Sequence, residues 1–456
     1  MKKDIYAMII SLWDSSVITK IRVFLKERIS QGPKSMADNY KCQISLPKQM
    51  ITDNGKRLTV NSFTDSGGQG EVYRASLENH PHPVALKLFF KSQSTAGTTR
   101  RIKFLSESCL HLLNRNICVP FDTLNFNGLI GHIAPFADGK TLLETLKEGS
   151  LTYPEVFEVA LQIVDQLNVL VKHGIFHGDI QTQNFKLFGS KKDIQVSMID
   201  LDNYSSKGIP KPNMLGMTLY MAPELRKQIK SGKRSYPTEY SDRYSLGVLL
   251  HEILLHFHPI AGFDESMDDI NTSMTSKWMY DPSLPNSPVN PHGYPVTTLN
   301  PELILLMRRS LSLSRRNRPS FKEWNQALKM ASHNLGVCLE CGVPVIKYNS
   351  RTECPFGHRT QQHSLRLENQ QQISLTGLVT VLGRRQLGGS NAISRRHLII
   401  REIGSRLYVE TIGMNPTCIF ERGDWKPLIK NQFTPLKPND QLKVADTLLV
   451  YSSEVT

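Results

Sequence analysis

The sequence predicts a multidomain α+β chain, and three observations carry that expectation. From about Leu58 to His333, short β-branched and aromatic runs come first and longer helical stretches follow. Between residues 338 and 358, three cysteines and a histidine fall in two tight pairs. Beyond a polar, glutamine-rich stretch the chain breaks into short alternating runs punctuated by Gly, Pro and Asn, an all-β pattern. A length of 456 residues exceeds what one core usually organises, which agrees with this division.

The expected parts are 1–35, an amphipathic helix and linker; 55–333, a large α+β domain; 335–362, a small metal module; and 373–456, a β-sandwich. In the first, Ile10, Trp13, Val17, Ile21 and Phe24 recur at three- and four-residue steps with basic residues off that face, before Gln31–Ser35 breaks the pattern. Strands are expected at Leu58–Val60 and Val84–Phe90, and helices at Arg101–Leu113, Tyr153–His173 and Tyr240–Leu255. Asp281–Asn300 reads as a surface loop and Gln361–Gln372 as a linker.

Bulk properties narrow the function. No run approaches the roughly 20 apolar residues of a membrane span. The apolar patch Tyr6–Trp13 stops at Asp14 and lacks a small-residue cleavage site, so a secretory signal is not expected. Seven cysteines, three of them clustered, argue for a metal in a reducing compartment and against a disulfide framework, so the chain is expected in the cytoplasm. The net charge of +14 is spread along the chain without a nucleic-acid motif. Nucleic acid is therefore not an expected partner, and phosphate-rich ligands are the reading the charge favours.

ATP chemistry needs a cover for the phosphates, a cation on them, metal ligands and a group to orient the acceptor hydroxyl. The segment Asp65-Ser-Gly-Gly-Gln-Gly-Glu-Val-Tyr73 offers Gly67, Gly68 and Gly70, which lack a Cβ and let backbone N–H groups approach phosphate. Val84-Ala-Leu-Lys87 comes next, then His177-Gly-Asp-Ile-Gln-Thr-Gln-Asn184 and Val196-Ser-Met-Ile-Asp-Leu-Asp202. Gly216-Met-Thr-Leu-Tyr-Met-Ala-Pro-Glu224, Ser241-Asp-Arg-Tyr-Ser-Leu-Gly247 and Arg318-Pro319 complete the series. In this order they resemble the bilobal protein-kinase fold, and bacterial Ser/Thr kinases with divergent catalytic loops in particular.

The resemblance implies ATP with Mg²⁺ (or Mn²⁺) and protein substrates. It implies that Lys87 holds the α and β phosphates with Glu107 as its ion-pair partner. Val72 and Ala85 would line the adenine, Asp179 would orient the acceptor hydroxyl and take its proton, and Asn184 and Asp200 would bind the metal. Arg318 would pair with Glu224. Aminoglycoside-type phosphotransferases share a His-Gly-Asp loop but generally lack that activation segment, which favours a protein substrate. Thr218, Thr238, Ser205 and Ser206 are candidate autophosphorylation sites. Three departures stand out: Gly178 for the usual Arg, Gln181 for a frequent Lys, and Asp202 for the Gly of Asp-Phe-Gly. They keep open an alternative from another class, a catalytically silent pseudokinase scaffold that binds nucleotide and phosphoproteins.

Cys338, Cys341, Cys354 and His358 form C-x2-C-x12-C-x3-H, which suits tetrahedral, structural Zn²⁺ in a zinc-ribbon-like module, with His363 as a substitute fourth ligand. In the all-β tail, Gly383-Arg384, Ser394-Arg-Arg-His397 and Asn415-Pro-Thr417 resemble a forkhead-associated (FHA) domain. That resemblance implies phosphothreonine binding, with Arg384, Ser394 and Arg395 on the phosphate and Asn415 on the peptide backbone. His397 would then fix the loop and Thr417 would pack inside. The phosphorylated partner would be another protein or a segment of this chain.

Overall fold

The computed structural model describes residues 44–190, 193–212, 216–259, 278–284, 293–338, 340–348, 353–358, 361–375, 379–388, 390–403 and 406–455. The expected N-terminal helix and linker, residues 1–35, lie outside the described residues. The described chain divides into two compact units, one of residues 44–294 with 305–326 and one of 295–304 with 327–455.

The first unit opens with a six-stranded antiparallel sheet in the order β1-β2-β3-β4-β6-β5. Its strands are β1 (Gln49–Ile51), β2 (Arg57–Ser66), β3 (Gly70–Leu77), β4 (Val84–Phe89), β5 (Asp122–Phe126) and β6 (Leu129–Pro135). It starts ahead of the expected residue 55, because Met50 pairs with Leu58 and enters the core. Period-two alternation along β4 sends Val84, Leu86 and Leu88 into that core and leaves Ala85 and Lys87 on the other face. The β2–β3 turn closes with Gly67 N–H donating to the Gly70 carbonyl at 3.0 Å. A Cβ on Gly70 would sit 2.1 Å from the Leu88 carbonyl oxygen, so only glycine fits.

The helical stretch expected at Arg101–Leu113 is two pieces, α1 (Ala96–Glu107) and α2 (Leu110–Leu113), broken at Cys109 with φ 52°. Thr95 caps α1 by accepting from Thr98 N–H at 3.2 Å. Arg101, Ile102 and Leu105 are the buried residues of α1 and fix its register.

Helices dominate the remainder of this unit. After β7 (Lys140–Thr141), α3 (Leu142–Glu148) and α4 (Tyr153–Lys172) each begin with a Thr-x-x-Glu capping box. Strands β8 (Ile175–Phe176), β9 (Phe185–Ser190), β10 (Asp193–Met198) and β11 (Ser205–Ser206) frame the loops of the site. Gln162 of α4 accepts from Val196 N–H at 3.0 Å and donates to the Ile194 carbonyl at 2.7 Å, which fixes β10 and the loop beyond it. Helices α5 (Pro223–Lys230), α6 (Glu239–Leu255), α7 (Pro301–Ser310) and α8 (Phe321–Ser332) come later in the chain. Helix α6 is buried on nearly every side from Tyr244 to Leu255, as its largely apolar composition requires.

In the second unit, β12 (Leu335–Val337) pairs with β13 (Pro344–Ile346) beside the cysteines. The sandwich uses β14 (Gln361–Leu367), β15 (Gln372–Ser374), β16 (Val379–Leu382), β17 (Leu398–Ile403), β18 (Arg406–Thr411), β19 (Thr417–Glu421), β20 (Asp424–Pro427), β21 (Thr434–Leu436), β22 (Gln441–Val444) and β23 (Thr447–Val455). They form a six-stranded sheet, β15-β14-β23-β22-β19-β20, and a four-stranded sheet, β16-β17-β18-β21. Leu365, Leu382, Leu398, Val409, Leu442 and Leu449 belong to one buried core. The glutamine-rich stretch expected as a linker is therefore largely strand. Strand β14 pairs with β23 over seven residues and buries Leu365 and Leu367, so the sandwich begins at residue 361 and not at 373.

Candidate active site

The floor of the cleft is the loop between β8 and β9. Asp242, on the buried helix α6, accepts the N–H groups of His177 at 2.6 Å and Gly178 at 3.0 Å. Burial pushes the Asp242 carboxyl up to about 7, against the pull of those two donors. Gly178 has φ +78°, and a Cβ there would lie 2.3 Å from Pro237 Cγ. An arginine at this position is thus excluded by backbone and packing together. Buried His177 accepts from Asp179 N–H at 3.3 Å, which fixes the backbone at Asp179.

Asp179 is held from three directions. Gln181 Nε2 donates to Oδ1 at 2.9 Å, Asn184 Nδ2 donates to Oδ2 at 3.0 Å, and Met217 N–H donates to Oδ1 at 3.0 Å. The last bond brings the activation segment against the loop, and a Cβ on Gly216 would sit 2.4 Å from Asp179 Oδ1. Ile199 N–H donates to the Asn184 carbonyl at 2.9 Å, which brings Asp200 up beside Asn184. Asp200 itself has φ 57°. Because Asn184 donates through Nδ2, its Oδ1 remains as the donor atom for a cation. That atom and the Asp200 carboxylate are hard oxygen donors of the kind Mg²⁺ takes.

The roof is the six-stranded sheet. Val72 lies directly across from Lys87 in the β3–β4 register, so Val72, Ala85 and Lys87 share the cleft face. Gln69, between the glycines, donates to Asn203 Oδ1 at 2.9 Å, joining the glycine turn to the segment after Asp200. Lys87 Nζ lies 2.9 Å from Asp200 Oδ1 and also forms an ion pair with Asp202. Burial disfavours its charge, but the two carboxylates outweigh burial and raise its pKa. Burial likewise opposes the Asp202 charge, but Lys87 and His132 hold that carboxyl well below the usual range.

The expected Lys87–Glu107 pair is not present. Glu107 sits at the end of α1 with its side chain 66% exposed and lies 3.8 Å from Lys103, one turn back on the same helix. The register set by Arg101, Ile102 and Leu105 turns Glu107 to solvent. The residue α1 directs inward is Arg101, whose guanidinium donates to the carbonyls of Asp202 and, at 3.2 Å, Pro210. Sequence reasoning missed the parts played by Arg101, His132 and Asp202. The signal within reach was the Arg101–Leu105 spacing, which places those two residues on one helix face.

Arg318 forms a bidentate pair with Glu224, both bonds at 2.8 Å, and its side chain is fully buried. Tyr220 hydrogen-bonds Glu252 of α6 and lies 3.3 Å from Thr182 of the loop. The candidate phosphorylation sites differ in access. Thr218 is exposed, whereas Thr238 caps α6 through Ser241 N–H at 3.2 Å and buried Ser205 donates to the Pro237 carbonyl. Ser206 is half-buried.

The ligand atoms of Cys338, Cys341, Cys354 and His358 all lie within 4.8 Å of one another. Cys341 Sγ is 3.9 Å from Cys354 Sγ, and His358 Nδ1 is 3.5 Å from Cys354 Sγ and 3.8 Å from Cys338 Sγ. A tetrahedron with metal–sulfur bonds of about 2.3 Å has edges of about 3.8 Å, so this donor set fits one metal ion. His363 is not part of it: it lies in β14 and bonds the Tyr451 hydroxyl at 2.7 Å.

In the sandwich, Arg384 Nε donates to the Ile393 carbonyl at 3.0 Å, Ser394 Oγ accepts from Met414 N–H at 3.0 Å, and Asn415 Nδ2 donates to the Ala392 carbonyl at 2.7 Å. The first bond lies within the β16–β17 loop, and the other two tie that loop to the β18–β19 loop. Arg395 is exposed, and buried His397 Nδ1 accepts from Ser394 N–H at 3.1 Å. Buried Thr417 lies 2.9 Å from the Thr411 hydroxyl.

Residues 60–330, more than half of the chain, match the protein kinase domain family. Among curated proteins, a probable serine/threonine-protein kinase of Clostridium perfringens is 24% identical over 52% of this chain and 33% of its own length. One of Bifidobacterium longum is 26% identical over 46% of this chain and 27% of its own length. Mouse Aurora kinase C is 26% identical over 45% of this chain and 74% of its own. The matched part thus spans about a third of the length of the two bacterial relatives. Among solved structures, the PknI kinase domain of Mycobacterium tuberculosis aligns with 19% identity, covering 62% of this chain and 99% of that one, at a TM-score of 0.42. No helix among the described residues is long and apolar enough to cross a membrane.

Proposed function

Because the chain belongs to the protein kinase family, we propose that it transfers the γ-phosphoryl group of ATP to serine or threonine hydroxyls of proteins. The observation that carries this reading is the meeting of Lys87, Asp179, Asn184 and Asp200 at one cleft, with Asp179 held by three donors. Lys87 takes the α and β phosphates, and the backbone at Gly67, Gly68 and Gly70 covers them. Val72 and Ala85 pack on the adenine. Asn184 and Asp200 hold Mg²⁺ (or Mn²⁺), which when bound neutralises the phosphates. Asp179 aims the acceptor hydroxyl at the γ-phosphorus and receives its proton as the bond to the ADP oxygen breaks.

The second unit supplies recognition and structure in the same proposal. The sandwich is read as a forkhead-associated module in which Arg384, Ser394 and Arg395 grip a phosphothreonine and Asn415 holds the peptide backbone. The convergence of those loops supports it. Cys338, Cys341, Cys354 and His358 hold structural Zn²⁺, supported by their mutual distances. Ligation through thiolates accords with a cytoplasmic protein.

The silent-scaffold reading draws on one feature, the Gln181 amide placed on Asp179 Oδ1 where many kinases carry a lysine. Incubation with γ-labelled ATP, Mg²⁺ and a generic acceptor protein separates the two. Labelled phosphoserine or phosphothreonine with wild type supports the kinase, whereas nucleotide binding without transfer under Mg²⁺ or Mn²⁺ supports the scaffold. Fluorescence anisotropy with phosphothreonine peptides tests the sandwich: binding by wild type that Arg384→Ala abolishes supports the module, and equal binding by both removes it.

A further inference from the structure

We propose that Asp202 is the positioning residue that holds Lys87 ready for nucleotide, in place of a carboxylate on helix α1. The inference rests on the ATP reading above. Helix α1 has one acidic residue, Glu107, and it is turned to solvent. Among the described residues, the two carboxylates that reach Lys87 are those flanking Leu201. They differ in exposure. The Asp200 side chain is 37% exposed, on the open side of the cleft, while that of Asp202 is 9% exposed. With Asp200 engaged in holding a metal ion, Asp202 would remain as the negative charge on the buried side of the ammonium. A lysine is a point charge on a flexible stem, so its position depends on such a partner.

Asp202 is itself held in place. Its carbonyl accepts from the Arg101 guanidinium of α1. That guanidinium also stacks 4.8 Å over the Tyr204 ring, and the Tyr204 hydroxyl donates back to the Arg101 carbonyl at 2.8 Å. On the other side, buried His132 Nε2 lies 3.7 Å from Asp202 Oδ1. His132 stands directly across from Lys87 in the β4–β6 register, so the imidazole and the ammonium share a face and meet the same carboxylate. Helix α1 thus acts on Lys87 through Asp202 and contributes no carboxylate of its own to the pair.

The test titrates a non-hydrolysable ATP analogue with Mg²⁺ into the full chain, comparing wild type, Asp202→Asn, Asp202→Glu and Glu107→Gln, with thermal melting as the fold control. Asp202→Asn should weaken binding on the order of tenfold. Asp202→Glu should recover part of it, and Glu107→Gln should bind as wild type. In a Lys87→Met background the Asp202→Asn penalty should vanish, because the two act as one unit. Equal nucleotide affinity for wild type and Asp202→Asn overturns the positioning role alone, as does a penalty that persists without Lys87 or a loss of equal size in Glu107→Gln. Wild type that holds no nucleotide overturns the ATP reading and this inference with it.

Discussion

The floor and the roof of the cleft are held by different means. On the floor, Asp179 is fixed by Gln181 and Asn184, close to it in sequence, and by the Met217 N–H, and the loop hangs from a single buried carboxylate, Asp242. On the roof, Lys87 is fixed by Asp200 and Asp202, more than a hundred residues away, with Arg101 and His132 behind them. Two of the three donors on the floor's Asp179 come from its own loop. The roof depends on side chains from several elements, so it is the part that a shift of α1 or of the segment after Asp200 would disturb.

The predictions sharpen that contrast, from the largest expected effect down. Arg318→Ala should destabilise the kinase unit by about 3–5 kcal/mol, since it strands Glu224 beside a buried cavity. Chemical denaturation measures it, and a loss below about 1 kcal/mol would mean that the pair is not anchoring the segment. Asp242→Ala leaves the N–H groups of His177 and Gly178 without their acceptor and should cost about 2–6 kcal/mol, at about 1–3 kcal/mol for each lost buried partner. Activity should fall with stability, because the loop loses its support. Gly178→Ala meets both the positive φ and Pro237, and should cost about 1–3 kcal/mol. A neutral result in a melting experiment would show that the floor yields more readily than its packing implies. Glu107→Gln should change stability by less than about 0.5 kcal/mol and leave activity alone, as for other exposed positions. A large loss there would restore the helix carboxylate to the roof.

The same contrast explains what the sequence disclosed. Asp179, Asn184 and the glycine turn were legible because their roles follow from short spacings and backbone geometry. The Arg318–Glu224 pair, though 94 residues apart, was legible through the resemblance of its two flanking motifs. The partner of Lys87 was not legible, because it depends on the register of α1. A helix of mixed polarity gives no clear face until Ile102 and Leu105 are known to be buried. Strand β14 was hidden by its glutamines. Leu365 and Leu367 face the core, but the neighbouring residues have the composition of a linker, and the pairing that makes the strand comes from β23, some ninety residues on. His363 was drawn toward the metal by proximity in sequence, whereas the alternation of β14 commits it to Tyr451.

The most direct test of the account is the steady-state rate of peptide phosphorylation by wild type beside Asp179→Ala, with Mg²⁺ and saturating ATP. Removing the group that aims the acceptor hydroxyl should lower kcat by about 10²–10⁴-fold while nucleotide binding stays intact. Equal rates for the two proteins would contradict the assignment of Asp179, and with it the chemistry proposed for the cleft.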